Sequence, residues 1–247
     1  MLPVPPAPPS MPPFISDVRT HWLPKKGHSA DEYEDATAQP VEAPDGTIRA
    51  ALADGATESA FAGAWARTLV EEFVGANVTV PETFSEAIHR TRRVFGQRIA
   101  EHATDLPWYA AAKAEEGAYA AFVGLVLYPS GAWRAVAVGD CCLFHIRDGE
   151  IMQAWPIDDP DDFGNRPDLL GSRLDMNQPE AQMTSAQWGP GDRFLLTSDA
   201  LAEYLLANDP AAAAGLNDPD FKAFIESARE NGLRNDDVTL VELVMRP

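Results

Sequence analysis

The spacing of apolar positions changes along the chain, and each change marks an element. Thr47–Ala53 (T-I-R-A-A-L-A) is a short, nearly continuous apolar run that predicts a buried strand ending at Asp54-Gly55. Ala60–Val74 places Phe61, Ala64, Trp65, Leu69 and Phe73 at helical spacing. Glu82–His102 does the same with Phe84, Ile88, Val94, Phe95 and Ile99, and its Arg90, Arg92 and Arg93 predict a solvated outer face. From Ala118 the runs become β-rich. Ala118–Tyr128, Trp133–Val138 and Cys141–Ile146 predict a meander of antiparallel strands, with turns at Pro129-Ser130-Gly131, Gly139-Asp140 and Arg147-Asp148-Gly149. An acidic, loop-rich segment, Pro156–Pro179, follows; its Asp158, Asp159, Asp161 and Asp162 lack the spacing of a calcium-binding EF-hand loop. Strands Ala181–Trp188 and Arg193–Thr197, helices Ala200–Ala207 and Asp220–Asn231, and a closing strand Val238–Met245 complete the pattern. With no repeat and no linker, this order predicts one layered α+β domain over residues 21–247, in which Trp22–Pro44 is a polar stretch. Residues 1–20 are expected to be a flexible tail. Met1–Pro13 holds seven prolines in thirteen residues, which favours polyproline II or disorder over any hydrogen-bonded element.

Composition narrows the function. The 247 residues are 45% hydrophobic, enough for a core without staples, and 19 Lys and Arg stand against 38 Asp and Glu, a net charge of −19. So acidic a surface repels phosphate backbones and anionic lipid, which argues against nucleic acid and membranes as partners and favours divalent cations. The longest apolar run, the eleven residues Ala118–Tyr128, is shorter than the roughly 18–20 that a membrane helix needs. No signal-peptide pattern opens the chain. Cys141 and Cys142 are adjacent, and a bridge between neighbours on a strand is strained. A reducing, cytoplasmic location is the expectation.

Phosphate loops, dinucleotide fingerprints, nucleophile elbows and H-E-x-x-H helices are all missing, and the five histidines are scattered. What recurs is an aspartate at the end of an apolar strand: A-A-L-A-Asp54-Gly55, A-V-A-V-G-Asp140, F-L-L-T-S-Asp199 and, just before the final strand, N-Asp236-D-V-T-L-V. Singly, each is ordinary: a turn dipeptide, a hairpin connection, a helix cap, a polar loop. Converging at one rim of a sheet, such carboxylates repel one another and rise in pKa. Hard divalent cations relieve that repulsion, and two of them about 3.5–4 Å apart can clamp a phosphoryl group.

Read together in this order, the segments resemble the metal-dependent protein phosphatases of type 2C, especially the compact bacterial ones. Glu34-Asp35-Ala36 is similar to the family's N-E-D-A and Ala53-Asp54-Gly55 to its A-D-G. V-G-Asp140-C is similar to its G-D-S turn. P-G-D-R-F-L-L-T-Ser198-Asp199-A-L resembles P-G-D-x-L-L-L-x-S-D-G-L, and N-Asp236-D-V-T-L-V resembles D-N-I-T-V-V. The resemblance implies two antiparallel β-sheets packed as a sandwich flanked by α-helices. It also implies a phosphoserine/phosphothreonine phosphatase in which a hydroxide bridging two Mn²⁺ or Mg²⁺ ions attacks phosphorus. By the same resemblance Asp54 bridges both ions and the Gly55 carbonyl binds one. Asp199 and Asp236 complete the other ion's ligands, Glu34 holds a metal-bound water, and Asp140 with Asp199 takes a weaker third ion. The family's phosphate-gripping arginine falls at Ala30, which leaves Lys25, Lys26 and His28 as candidates for that contact. The implied partner is a phosphorylated protein, with a cognate Ser/Thr kinase recruited through the proline tail as a further option. The competing expectation is a non-catalytic phosphatase-like module that binds a phosphoprotein or regulatory partner.

Overall fold

A computed structural model describes residues 14–56, 61–75, 81–102, 116–164, 167–176 and 178–247. The proline run Met1–Pro13 lies outside these residues. Two antiparallel sheets stack face to face. One holds β1 (Ile15–Leu23), β11 (Val238–Met245), β10 (Arg193–Thr197), β6 (Cys142–Arg147) and β7 (Glu150–Trp155), in that order. The other runs β2 (Ala36–Glu42), β3 (Ile48–Gly55), β4 (Tyr119–Leu127), β5 (Ala132–Val138) and β9 (Gln182–Gln187), with the short β8 (Leu170–Gly171) paired to β4. Helices α1 (Ala62–Gly75) and α2 (Pro81–His102) cover the second sheet; α3 (Asp199–Ala207) and α4 (Asp218–Glu230) cover the first. The expected sandwich with flanking helices is the fold observed. Among the described residues no helix is long and apolar enough to cross a membrane.

The layering explains the apolar runs. In β3, Ile48, Ala50 and Leu52 face the core between the sheets with Val123, Leu125, Trp133, Phe194 and Leu243, while Ala51 and Ala53 face α1 and α2. A strand buried on both faces carries no polar alternation. Gly124 on β4 is set by packing: a Cβ there would lie 2.5 Å from the Phe73 ring of α1.

Several local expectations change. Residues 15–20, expected in the tail, form most of β1, and the polar stretch Trp22–Pro44 contains β2. Arg92, expected on a solvated face, is 2% exposed; it donates to the carbonyls of Gly171 at 2.9 Å and Met176 at 3.2 Å and so fixes the loop after β8. Ser198 precedes α3 but does not cap it with its side chain; its hydroxyl instead accepts the Thr239 amide of β11 at 2.9 Å. The two cysteines are buried and free, Cys142 opening β6 and Cys141 just before it.

The aspartate of P-G-D-R has a structural role. Asp192 is fully buried and accepts two bonds from Arg147 at 2.7 Å, one from the Gly189 amide at 2.8 Å and one from His145 at 2.7 Å. Burial by itself would raise its pKa, but these donors outweigh that and hold it at about 2. Asp192→Ala strands Arg147 and His145 without their acceptor, so it is expected to lower unfolding free energy by about 3–5 kcal/mol, measurable by urea titration. A loss below 1 kcal/mol would remove Asp192 from the turn's framework.

Candidate active site

Strand register gathers the strand-end aspartates. Thr197 pairs with Cys142 on one side and Leu240 on the other, so Asp140, Asp199 and Asp236 leave their strands at one end of the first sheet. In the second sheet Asp54 faces Ala121, and Val138 faces Phe122, which brings the end of β3 beside Gly139-Asp140. Gly139, at φ +91°, makes the turn; a Cβ there would lie 2.8 Å from Ala121 and from the Asp168 carbonyl. Asp140 sits at the crossover between the sheets and joins the two groups.

Their electrostatics shows how close they stand. Asp54 is pushed well above the ordinary carboxylate range, first by burial and then by Asp35, Asp199, Asp140 and Asp236. Asp140 is raised to about 7 by burial and by Asp199. Asp236 is raised by burial and by Asp199. Asp35 is raised to about 7, chiefly by burial; the hydrogen bond from Thr239 pulls it back. The Thr239 hydroxyl donates to Asp35 Oδ2 at 2.5 Å and is itself hydrogen-bonded to the Tyr33 hydroxyl.

The segment carrying Glu34 and Asp35 is clamped by Asp237. Its buried carboxylate accepts the amides of Lys25 at 2.9 Å and Glu34 at 2.8 Å, while Asn235 accepts the Lys26 amide at 2.7 Å. Gly55 permits this approach: a Cβ at 55 would lie 2.8 Å from both the Glu34 carbonyl oxygen and the Ala62 carbonyl carbon. The three basic candidates separate. Lys25 is half-buried and lies in the field of Asp236. Lys26 is exposed and lines a cavity of about 550 Å³ with Glu226, Arg229 and Glu230. His28 pairs with Glu32 at 3.5 Å.

Sequence reasoning gave no role to Asp35, Asp237, Thr239 or Arg234. Asp35 and Asp237 lie inside the quoted motifs Glu34-Asp35-Ala36 and N-Asp236-D-V-T-L-V. Arg234 carries no motif, yet its guanidinium holds Asp199 at 2.6 Å and Glu203 at 3.1 Å.

The chemistry of the donors fits hard divalent ions. All are oxygens, the preference of Mg²⁺ and Mn²⁺. Asp35 Oδ1 is buried without a hydrogen-bond partner. Four carboxyls rise in pKa, first through burial and then through one another's charge, and a bound cation would offset both. The side chains are not preset, however: among the described residues no three His, Cys, Asp or Glu stand grouped to hold an ion, and Asp199 is neutralised by Arg234 instead.

With this geometry the chain matches the protein phosphatase 2C family model over residues 27–241. No curated protein matches it in sequence. Among solved structures it is similar to the Mycobacterium tuberculosis serine/threonine phosphatase PstP/Ppp, at 18% identity and a TM-score of 0.65, over 94% of this chain and 99% of that one. It is also similar to the PstP catalytic domain in complex with two manganese ions, at 18% identity and TM-score 0.61, over 93% and 99% of the two chains. Staphylococcus aureus Stp1 aligns at 13% identity and TM-score 0.62, over 94% and 95%.

Proposed function

The chain belongs to the protein phosphatase 2C family, and from that membership we propose that it is a metal-dependent phosphoserine/phosphothreonine protein phosphatase. The observation that carries the reading is the shared field of Asp35, Asp54, Asp140, Asp199 and Asp236 at one end of the sandwich. The Asp54 carboxylate and Gly55 carbonyl would hold one divalent ion, Mn²⁺ or Mg²⁺. Asp54, Asp199 and Asp236 would hold a second, with Glu34 reaching it through water and Asp140 offering a weaker third position. When bound, such ions supply an activated water and positive charge for the phosphoryl oxygens.

The chain's own residues do the rest. Asp237 fixes the loop of Glu34 and Asp35 against β11. Lys25 is the basic candidate best placed to meet a phosphate oxygen, as a point charge and not a bidentate fork. Arg234 neutralises Asp199 and would have to release it for Asp199 to serve as a ligand. A cytoplasmic setting, a phosphoprotein substrate and an opposing Ser/Thr kinase belong to the same proposal.

The Arg234–Asp199 pair also favours a second reading, a non-catalytic module that binds a phosphoprotein. Hydrolysis of p-nitrophenyl phosphate and of a phosphoserine peptide, with Mn²⁺, Mg²⁺ or EDTA, separates the two, with calorimetry of Mn²⁺ binding alongside. Turnover in Mn²⁺ that EDTA abolishes is expected. Phosphopeptide binding without turnover in any metal selects the module.

A further inference from the structure

Beside the carboxylate cluster lies a cleft of about 200 Å³, walled by Thr20 and Trp22 of β1, Tyr33 and Asp35 of the following loop, Thr37 of β2 and Arg67 of α1. It is smaller than the roughly 300–1,000 Å³ of small-molecule sites and suits one side chain. Trp22 is 47% exposed, and its ring meets Tyr33 at 4.9 Å between centroids, an apolar wall left open to water. Arg67 is exposed and makes no hydrogen bond or ion pair among the described residues; Glu71, one turn along the helix, is taken by Arg98 at 2.8 Å. Among the described residues β1 and β2 are the outermost strands of their sheets, so each has an edge that no described strand covers. Asp35 is common to both places, a wall of the cleft and a charge that acts on Asp54.

We propose that this cleft reads the substrate: it takes an anionic residue flanking the phosphorylated serine or threonine, with Arg67 meeting the charge and Trp22 and Tyr33 packing its stem. The inference rests on the phosphatase reading for the neighbouring phosphate, but the cleft's charge preference is its own. A free guanidinium beside two aromatic rings matches an acidic side chain or a second phosphate, whereas the −19 net charge of the chain would otherwise favour basic peptides. An extended peptide can also use the main-chain groups of an open strand edge.

The test compares phosphoserine peptides flanked by Glu, by a second phosphoserine, by Ala or by Lys, in wild type and in Arg67→Glu. Wild type is expected to favour anionic over Lys flanks by about tenfold in kcat/KM, carried by KM, and Arg67→Glu to invert the order. Glu and phosphoserine flanks favoured alike mean that charge alone is read; phosphoserine alone favoured narrows the ligand to a second phosphate. The same peptides, fluorescently labelled, are titrated by anisotropy into the EDTA-treated proteins, which needs no turnover. Binding that prefers anionic flanks and loses the preference in Arg67→Glu supports the cleft even where the protein hydrolyses nothing, in which case only the phosphatase reading fails. Turnover or binding with the same flank preference in both proteins, or none in wild type, overturns the proposal and leaves the phosphatase reading intact.

Discussion

Replacing Asp54 by asparagine is expected to cut Mn²⁺-dependent turnover by about 100-fold or more, the scale of removing one main electrostatic stabiliser of a transition state, and at the same time to raise the stability of the EDTA-treated protein. The two effects share one cause. Asp54 is the carboxylate on which the cluster's repulsion converges: burial, Asp35, Asp199, Asp140 and Asp236 all disfavour its ionised form. A neutral amide of the same shape removes that repulsion, and its NH₂ can donate to the neighbouring Asp35 carboxyl, whose Oδ1 is buried without a hydrogen-bond partner. A gain of about 1–3 kcal/mol at pH 8 is the expected scale. Assays with p-nitrophenyl phosphate and thermal melts with and without Mn²⁺ read both effects. The wild type should gain stability from Mn²⁺ and the variant should gain little. Unchanged Mn²⁺-dependent turnover removes Asp54 from the metal cluster. A less stable variant in EDTA shows that the carboxylate holds the fold together, contrary to the electrostatic argument.

The same physics decides what the sequence disclosed. β3, β4, β6 and β10 are buried on both faces or nearly so, and each reads as an apolar run that its flanking turns delimit. β1 and β2 were missed because they close the edges of their sheets. β1 mixes Ser16, Asp17, Arg19 and Thr20 with its apolar residues, and β2 carries Glu42 and a proline at 40. Asp54, Asp140 and Asp199 stood out since each ends an apolar strand, and antiparallel register then brings those ends together. Arg234 could not be found that way. Its partners Asp199 and Glu203 lie on a different element and are brought near only by the turn between α4 and β11. Arg92 shows the opposite failure: its place on a charged stretch of helix suggests solvent, and only the loop after β8 folding over α2 buries it.

Without divalent ions the protein is expected to lose stability as pH rises from about 4 to 8. Asp35 and Asp140 stand at about 7 in the folded protein against an ordinary 3.8, and Asp54 and Asp236 are raised as well. Between those values the folded state binds more protons than the unfolded one, so the slope of unfolding free energy with pH is negative. The contribution is fully present below about pH 4 and is lost as pH passes through 7. Several groups act in the opposite sense, among them the exposed Glu32, Asp45 and Asp175, whose local hydrogen bonds lower them but which solvent screens. Asp192, held at about 2, contributes stability above pH 3.8 that disappears only as pH falls toward 2. His145, lowered by burial against the pull of Asp192, favours the folded state as pH rises toward 6.5. Together they do not outweigh four raised carboxyls across the window. A gap of three units is worth up to about 4 kcal/mol for one group, and because the carboxyls share one repulsion the total is a few kcal/mol. A fall of about 5–15 °C in melting temperature between pH 5 and 8 in EDTA is the measurable form. Saturating Mn²⁺ should flatten or reverse the trend, because ligand carboxylates bind ions only when ionised. Stability that is level or rising with pH in EDTA shows the acidic side chains to be already neutralised within the chain, Arg234 foremost among the cations able to do it.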